Sequence, residues 1–229
     1  MALNKVGHFV LGVVVKANPD RDAYLTYIGG TDQLAVLPKD CADGPYRVHD
    51  KFYASIKSTE GEYPVLSQRS GHFLRRVCEL ILGPLLAEER IALDSVATVK
   101  RAEFAKIALS SPSGEDPIRL ALPLFREFHK YSRLQPCLVR YSEAMETFAR
   151  QALLPAPIDE VLRVQWCRPE RCVLVWVNPE AIARFLGIKG MNVSVASRLI
   201  GHKIELRAHR ESESDAPIHL GRTASTTPA

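Results

Sequence analysis

Short apolar runs separated by turn residues fill the first seventy positions, on a period that suits strands. Val6 to Lys16 is rich in β-branched residues and closes at Asn18-Pro19-Asp20. Tyr24 to Ile28 follows, with Gly29-Gly30 as its turn, and Leu34 to Leu37 stops at Pro38. Phe52 to Lys57 and Tyr63 to Leu66 flank a turn at Glu60-Gly61. Five short strands in so little chain predict a small closed barrel over residues 1–70.

From Ser70 the period lengthens. Gly71 to Leu82 puts Phe73, Val77, Leu80 and Ile81 on one helical face and ends at Gly83-Pro84. Ile91 to Lys100 and Phe104 to Ser110 alternate as strands, with a loop at Ser111-Pro112-Ser113-Gly114. Residues 118–134 read as a helix carrying Leu120, Leu124, Phe128 and Tyr131 on one face and Arg126, Lys130 and Arg133 on another. Cys137 to Tyr141 is a strand, and Ser142 to Leu153 a helix with Ser142 as its cap and Glu143 in its first turn. Val161 to Cys167 and Cys172 to Val177 make a hairpin, two helices follow, and Lys203 to Arg207 closes the fold. The same order of helix, strand, strand, helix and strand thus occurs over 71–141 and again over 142–207. Residues 208–229 are polar and nearly free of large apolar side chains, which predicts a disordered tail.

Between the last two helices stands Gly187-Ile188-Lys189-Gly190. Neither glycine has a Cβ, so a nucleic-acid backbone can approach the main chain there. The N–H groups that open the next helix then face the phosphates. This is the clamp of a KH domain, which grips about four nucleotides of single-stranded RNA. In that reading Lys189 contacts phosphate, Ile188 forms the groove edge, and Asn192 caps the helix or touches a nucleotide. Arg198 and Lys203 are further candidates for the groove or the backbone path. The Arg126, Lys130 and Arg133 face would extend the track electrostatically. Phe9, Tyr24, Tyr27, Phe52 and Tyr53 are candidate stacking platforms in the barrel, although alternation assigns roughly half of them to the core.

Charge sharpens this picture. The net charge of the 229 residues is only +4, yet residues 181–207 hold five bases against Glu205, and residues 119–140 hold five against Glu127. Residues 19–50 are the reverse, with six aspartates against three bases. Concentrated basic patches on a modest total fit local phosphate contacts. No apolar run approaches the roughly 18 residues of a membrane span. Five scattered cysteines, an odd number, fit reduced thiols in a cytoplasm. Cys167 and Cys172 flank a turn and have no second ligand pair beside them, so no zinc site is expected. Neither H-E-x-x-H, G-x-S-x-G nor a P-loop is present, and no enzyme and no cofactor is expected.

Five segments, in order, resemble the RNA-binding core of the bacterial NusA family of transcription elongation and termination factors. They are Ala35-Val36-Leu37-Pro38 with Gly44-Pro45-Tyr46-Arg47-Val48-His49-Asp50; Leu66-Ser67-Gln68-Arg69-Ser70 with Phe73-Leu74; Lys106-Ile107-Ala108-Leu109; Asp116-Pro117-Ile118; and Leu186 to Asn192 with Ala196 to Ile204. The last is similar to the family's I-G-x-x-G-Q-N and L-A-x-x-L-T-G-W-K-I signature. The resemblance covers residues 6–207 and implies an α+β fold: an S1 (oligonucleotide-binding-type) five-stranded β-barrel followed by two tandem type II KH domains, packed as one extended rod. It implies single-stranded RNA, a nascent transcript, as ligand and RNA polymerase or the transcription complex as partner. The implied role is to modulate elongation, pausing, termination or antitermination, with no membrane and no DNA-specific site. A scaffold that docks polymerase or other Nus-type factors, or an RNA-binding factor in ribosome or RNA maturation, fits the same segments.

The chain also departs from the family pattern. After Asp116-Pro117-Ile118, where the family has its first G-x-x-G, it reads Arg119-Leu120-Ala121-Leu122-Pro123-Leu124-Phe125. The first KH domain is therefore expected to lack its clamp. His202 stands where the family has Trp. Met1 lies almost at the first strand, so the family's N-terminal polymerase-binding domain is expected to be absent, as is an acidic C-terminal repeat.

Overall fold

Strand alternation in the first segment closes into a barrel. The computed structural model describes residues 5–18 and 22–209. In it β1 (Phe9–Asn18), β2 (Ala23–Ile28), β3 (Leu34–Pro38), β4 (Lys51–Ser58) and β5 (Val65–Ser67) form a closed barrel in the order β1-β2-β3-β5-β4. Antiparallel pairing of β1 with β4 shuts it, and β3 meets β5 in parallel. Val14, Ile28, Leu37, Ala54, Ile56 and Leu66 fill the interior. The turn expected at Pro19-Asp20 and the tail beyond His209 lie outside the described residues.

Two three-stranded sheets follow, built alike. The first unit holds α1 (Gly71–Ala87), β6 (Ala92–Ala97), β7 (Phe104–Ser110), α2 (Pro117–Ala121), a 3-10 segment (Leu124–Lys130) and β8 (Gln135–Arg140). The second holds α3 (Met145–Ala152), β9 (Val161–Cys167), β10 (Cys172–Val177), α4 (Ile182–Leu186), α5 (Met191–Ile200) and β11 (Lys203–Ala208). In each, an antiparallel hairpin is joined by a third strand parallel to its second member. The fold is α+β, an S1-like barrel followed by KH-type sheets.

Side chains on β7 show how the units lock together. Ala105, Ile107 and Leu109 enter the core beneath α1 and the 3-10 segment. Between them Ala108 faces the second unit's core, and Lys106 donates to the carbonyls of Ala152 and Leu154 there. A strand covered on both faces reads as a nearly continuous apolar run, and β7 does. Helix α5 packs on β6 and β7 and α3 on β8, so the second unit covers the outer face of the first sheet.

The barrel is fixed to the first unit by a ring cluster and by charge. Phe9 stacks on Tyr53 at 5.4 Å and on Phe73 at 5.7 Å, and Tyr53 meets Tyr131 at 5.3 Å. Arg69 donates through Nε to the Ala42 carbonyl and through Nη1 to that of Ala102. Asp43, one of the six aspartates of the barrel loops, accepts from the Arg133 N–H at 2.7 Å and the Ser132 hydroxyl at 3.0 Å.

Three helices differ from their sequence expectations. Helix α1 continues through Gly83-Pro84 to Ala87, because Leu85 belongs to the core. Pro84 has no N–H to bond the Leu80 carbonyl four residues back, and Leu80 sits on the exposed face of the helix. Helix α3 begins at Met145 rather than Ser142: the Ser142 hydroxyl accepts from the Ala144 N–H in a local turn instead of capping the helix. Residues 118–134 break at Pro123 into α2 and the 3-10 segment, and the buried stripe is Ala121, Phe125 and Phe128.

Candidate nucleic-acid interface

Helix α4 stops because Gly187 takes φ 66°, ψ −179°, a conformation essentially reserved for glycine. Its N–H closes on the Ala183 carbonyl at 3.1 Å. Ile188 and Lys189 form the tip of the turn, and the Gly190 N–H returns to the Gly187 carbonyl at 3.1 Å. Lys189 and Gly190 are both left-handed, at φ 53° and 71°. Ile188 is 81% exposed, the most exposed large apolar side chain among the described residues. Lys189 is also exposed and pairs with no acid among those residues. Helix α5 starts directly behind the turn with no side-chain cap; the Met191 N–H closes on the Ile188 carbonyl, and the positive end of the helix dipole faces outward for a ligand.

A groove of about 820 Å3 opens beside this loop. Ile188 and Met191 form one wall, Phe104 and Pro136 from the ends of β7 and β8 form the other, and Pro155 and Pro157 extend the floor. The groove is mostly apolar, with Arg101, Glu103, Gln135 and Arg184 as its polar lining, and the loop's main chain and the exposed Lys189 stand beside it. Such a cleft suits a chain with charged links and flat apolar faces. Sequence reasoning missed Phe104, Pro136 and Pro155, because they come from distant segments that only the packing of one sheet on the next brings to the loop.

Two of the expected site residues belong elsewhere, and a third has a different role. Asn192 is buried, 6% exposed, and donates at 2.9 Å to both the Phe185 and Leu153 carbonyls. It neither caps α5 nor stands at the tip; it ties the loop's flank to the end of α3, with its Oδ1 buried and unpartnered beneath the groove. Arg198 and Lys203 lie at or past the far end of α5, about 13 Å or more along the helix from Lys189 at 1.5 Å per residue. Lys203 pairs with Glu205 on the strand edge at 2.6 Å. Gly187, Ile188, Lys189 and Gly190 remain together as the loop.

The other candidate surfaces divide in the same way. Arg133 donates to the Pro45 carbonyl at 2.8 Å and lies 4.6 Å over the Tyr46 ring, so it joins the barrel to the first unit. Lys130 pairs with Glu127, which leaves Arg126 alone of the expected basic face. In the barrel, Tyr24 and Phe52 are core, and Phe9 and Tyr53 form the ring cluster at the junction. Tyr27, at 42% exposure, is the one of these five still free to stack. In the first unit no glycine turn exists at the corresponding place: Leu122 and Pro123 carry helical φ and ψ from α2 into the 3-10 segment.

The two loop glycines are not equivalent, which gives a direct test. A Cβ on Gly187 would stand 2.9 Å from the Cβ of Asn192, whereas one on Gly190 would meet nothing within 4 Å. Left-handed backbone alone costs an L-residue about 1–2 kcal/mol. Gly190→Ala is expected to lose about that much in urea unfolding, and Gly187→Ala roughly 2–4 kcal/mol, since clash adds to strain. Equal losses would show that the Asn192 contact relaxes freely.

Comparison with known proteins agrees with this geometry. Residues 145–214 match the family model of the NusA-like second KH domain, a span that contains the loop and α5. Across most of the chain, 215 residues are 25% identical to the transcription termination/antitermination protein NusA of Halalkalibacterium halodurans. The chain is NusA-like, most directly in its second KH-type unit. That alignment takes in 87% of this NusA-like chain and 53% of the relative, so the chain spans about half the length of the curated protein it matches. Among solved structures, the crystal structure of APE1850 aligns with 58% of this chain and 96% of its own, at 16% identity and a TM-score of 0.40. No helix among the described residues is long and apolar enough to cross a membrane.

Proposed function

We propose that this NusA-like chain is a cytoplasmic, non-catalytic factor that binds single-stranded RNA, the nascent transcript, and acts with RNA polymerase to modulate elongation, pausing, termination or antitermination. The observation that carries the reading is the open loop Gly187–Gly190, with both glycines at positive φ and Ile188 and Lys189 presented to solvent. About four nucleotides would lie along it. Their phosphates meet the leading N–H groups of α5 and the Lys189 ammonium, and their bases lie against Ile188, Met191 and Phe104. The first unit has no such loop; its sheet backs α5 and holds the clamp rigid. The similarity to a termination/antitermination protein of Halalkalibacterium halodurans supports the same process.

Fluorescence anisotropy with short A-rich and mixed-sequence RNA strands at two salt concentrations tests the reading. Both strands are expected to bind, with log K falling by about 0.7 per neutralised phosphate for each unit of log salt. Binding to neither strand overturns it. Association with polymerase is tested by co-purification of the two proteins.

A further inference from the structure

The hairpin of the second unit carries two thiols that face each other. In the antiparallel register of β9 and β10, Cys167 stands directly opposite Cys172. Side chains alternate along β10: Val173, Val175 and Val177 enter the core, so Cys172 lies on the other face of the sheet, and its partner Cys167 lies there with it. The Lys203 N–H bonds the Arg171 carbonyl and the His209 N–H that of Val177, so alternate residues from Arg171 onward turn their main chain toward β11. Cys172 therefore turns its own toward β9 and forms with Cys167 a facing pair of the hydrogen-bonded kind, whose Cα atoms stand about 5.5 Å apart. A disulfide needs roughly 4.4–6.8 Å between Cα atoms and Cβ atoms on one face, and this pair supplies both. Both residues are free thiols. The Cys172 thiol is pushed up by burial first, then by the Glu205 carboxylate and, to a smaller extent, by Cys167 beside it. Among the described residues no group of three or more metal-ligating side chains forms, so the pair is not half of a zinc site.

Access differs between the two. Cys172 is 6% exposed, whereas Cys167 is half-buried and lines a cleft of about 620 Å3 with Trp166, Arg168, Glu143 and Glu146. We propose that Cys167 and Cys172 are a redox-active dithiol, oxidised by a small disulfide of the glutathione class to an intramolecular disulfide that staples β9 to β10. Cys167, the accessible thiol, loses its proton and attacks one sulfur of the small disulfide. The bond between that reagent's two sulfurs breaks, and one small thiol leaves with a proton. Cys172 then gives up its proton and attacks the Cys167 sulfur, releasing the second small thiol. Two electrons pass to the small disulfide, and the two protons end on its two thiols. Arg168, at the cleft, offers a cation to the carboxylates of such a reagent. In a reducing compartment a bond of this kind is transient and senses oxidation. Cys172 pairs with Lys203, past the end of α5 that lies farthest from the glycine loop, so the site is independent of the RNA clamp. The other three cysteines stand apart, Cys41 in the barrel, Cys78 in α1 and Cys137 on β8.

Incubating the reduced, folded protein with glutathione disulfide tests the proposal. Its mass is expected to fall by two hydrogens. Trypsin should then release Cys167 and Cys172 in one linked pair of peptides, because cleavage after Arg171 would otherwise part them. A reductant should restore both thiols. Cys172→Ser should instead keep one glutathione on Cys167, and Cys167→Ser should leave Cys172 unmodified. In the oxidised wild type, amide hydrogen exchange across residues 164–175 should slow by about threefold or more, since β9, an edge strand, can no longer part from β10 at the turn. The wild-type mass and exchange need no variant to fold. A wild type that stops at the mixed disulfide on Cys167, or that links the two cysteines only in urea, would overturn the proposal. Linkage with unchanged exchange would overturn the staple.

Discussion

Ile188→Asp combined with Lys189→Asp is expected to lower affinity for single-stranded RNA at least a hundredfold and to leave the melting temperature unchanged or slightly raised. The two effects have one cause. Ile188 is 81% exposed and Lys189 also faces solvent, so neither substitution removes packing. Carboxylates at the N-terminus of α5 also suit its dipole, which favours them by about 0.3–1 kcal/mol. The same two charges then occupy the anion site, repel the incoming phosphates and remove the Lys189 contact. A functional loss of roughly 3 kcal/mol with no loss of stability separates binding from folding. A variant that keeps wild-type affinity for a four-nucleotide strand would place the RNA site away from this loop.

The loop was legible in the sequence because its chemistry is local. Two glycines three residues apart, flanked by helical pattern, can be read without knowing what packs behind them. The barrel and the two sheets were legible for a similar reason: strand alternation and turn residues mark them, and β7, β9 and β10 have the ends their sequences predict. What escaped was set by contacts between units. Phe9 and Tyr53 have the exposure pattern of stacking platforms until α1 and the 3-10 segment cover them with Phe73 and Tyr131. Arg133 has the spacing of a solvated basic face, yet Tyr46 and the Pro45 carbonyl hold it. Asn192 follows the loop so closely that a role in binding was the natural expectation. Only the approach of Leu153 turns its amide inward. Arg198 is the converse: its place in the chain made it a candidate for the RNA groove or backbone path, and nine residues carry it from Lys189 to a separate groove beside Lys57 and Arg75.

Lys106 is where the contacts between units should show most clearly in solution. It is wholly buried on β7, and its ammonium satisfies the Ala152 and Leu154 carbonyls at the end of α3, a helix terminus that would otherwise present bare acceptors to the first sheet. No carboxylate faces it; burial pushes it down to about 8, against a small opposing effect of the Cys137 thiol beside it. Between about pH 8 and pH 10.5 the unfolded chain therefore binds a proton at this position that the folded chain has released, so stability rises with pH. Below pH 8 both states hold the proton and the contribution is flat. Unfolding free energies of wild type and Lys106→Met, measured in urea from pH 7 to pH 10, should diverge in favour of wild type by roughly 2–3 kcal/mol. The difference between the two proteins cancels the thiols and tyrosines that titrate in the same range. Parallel curves would mean that Lys106 is solvated in the folded protein, and that the second unit is not seated on the first sheet as tightly as its buried lysine requires.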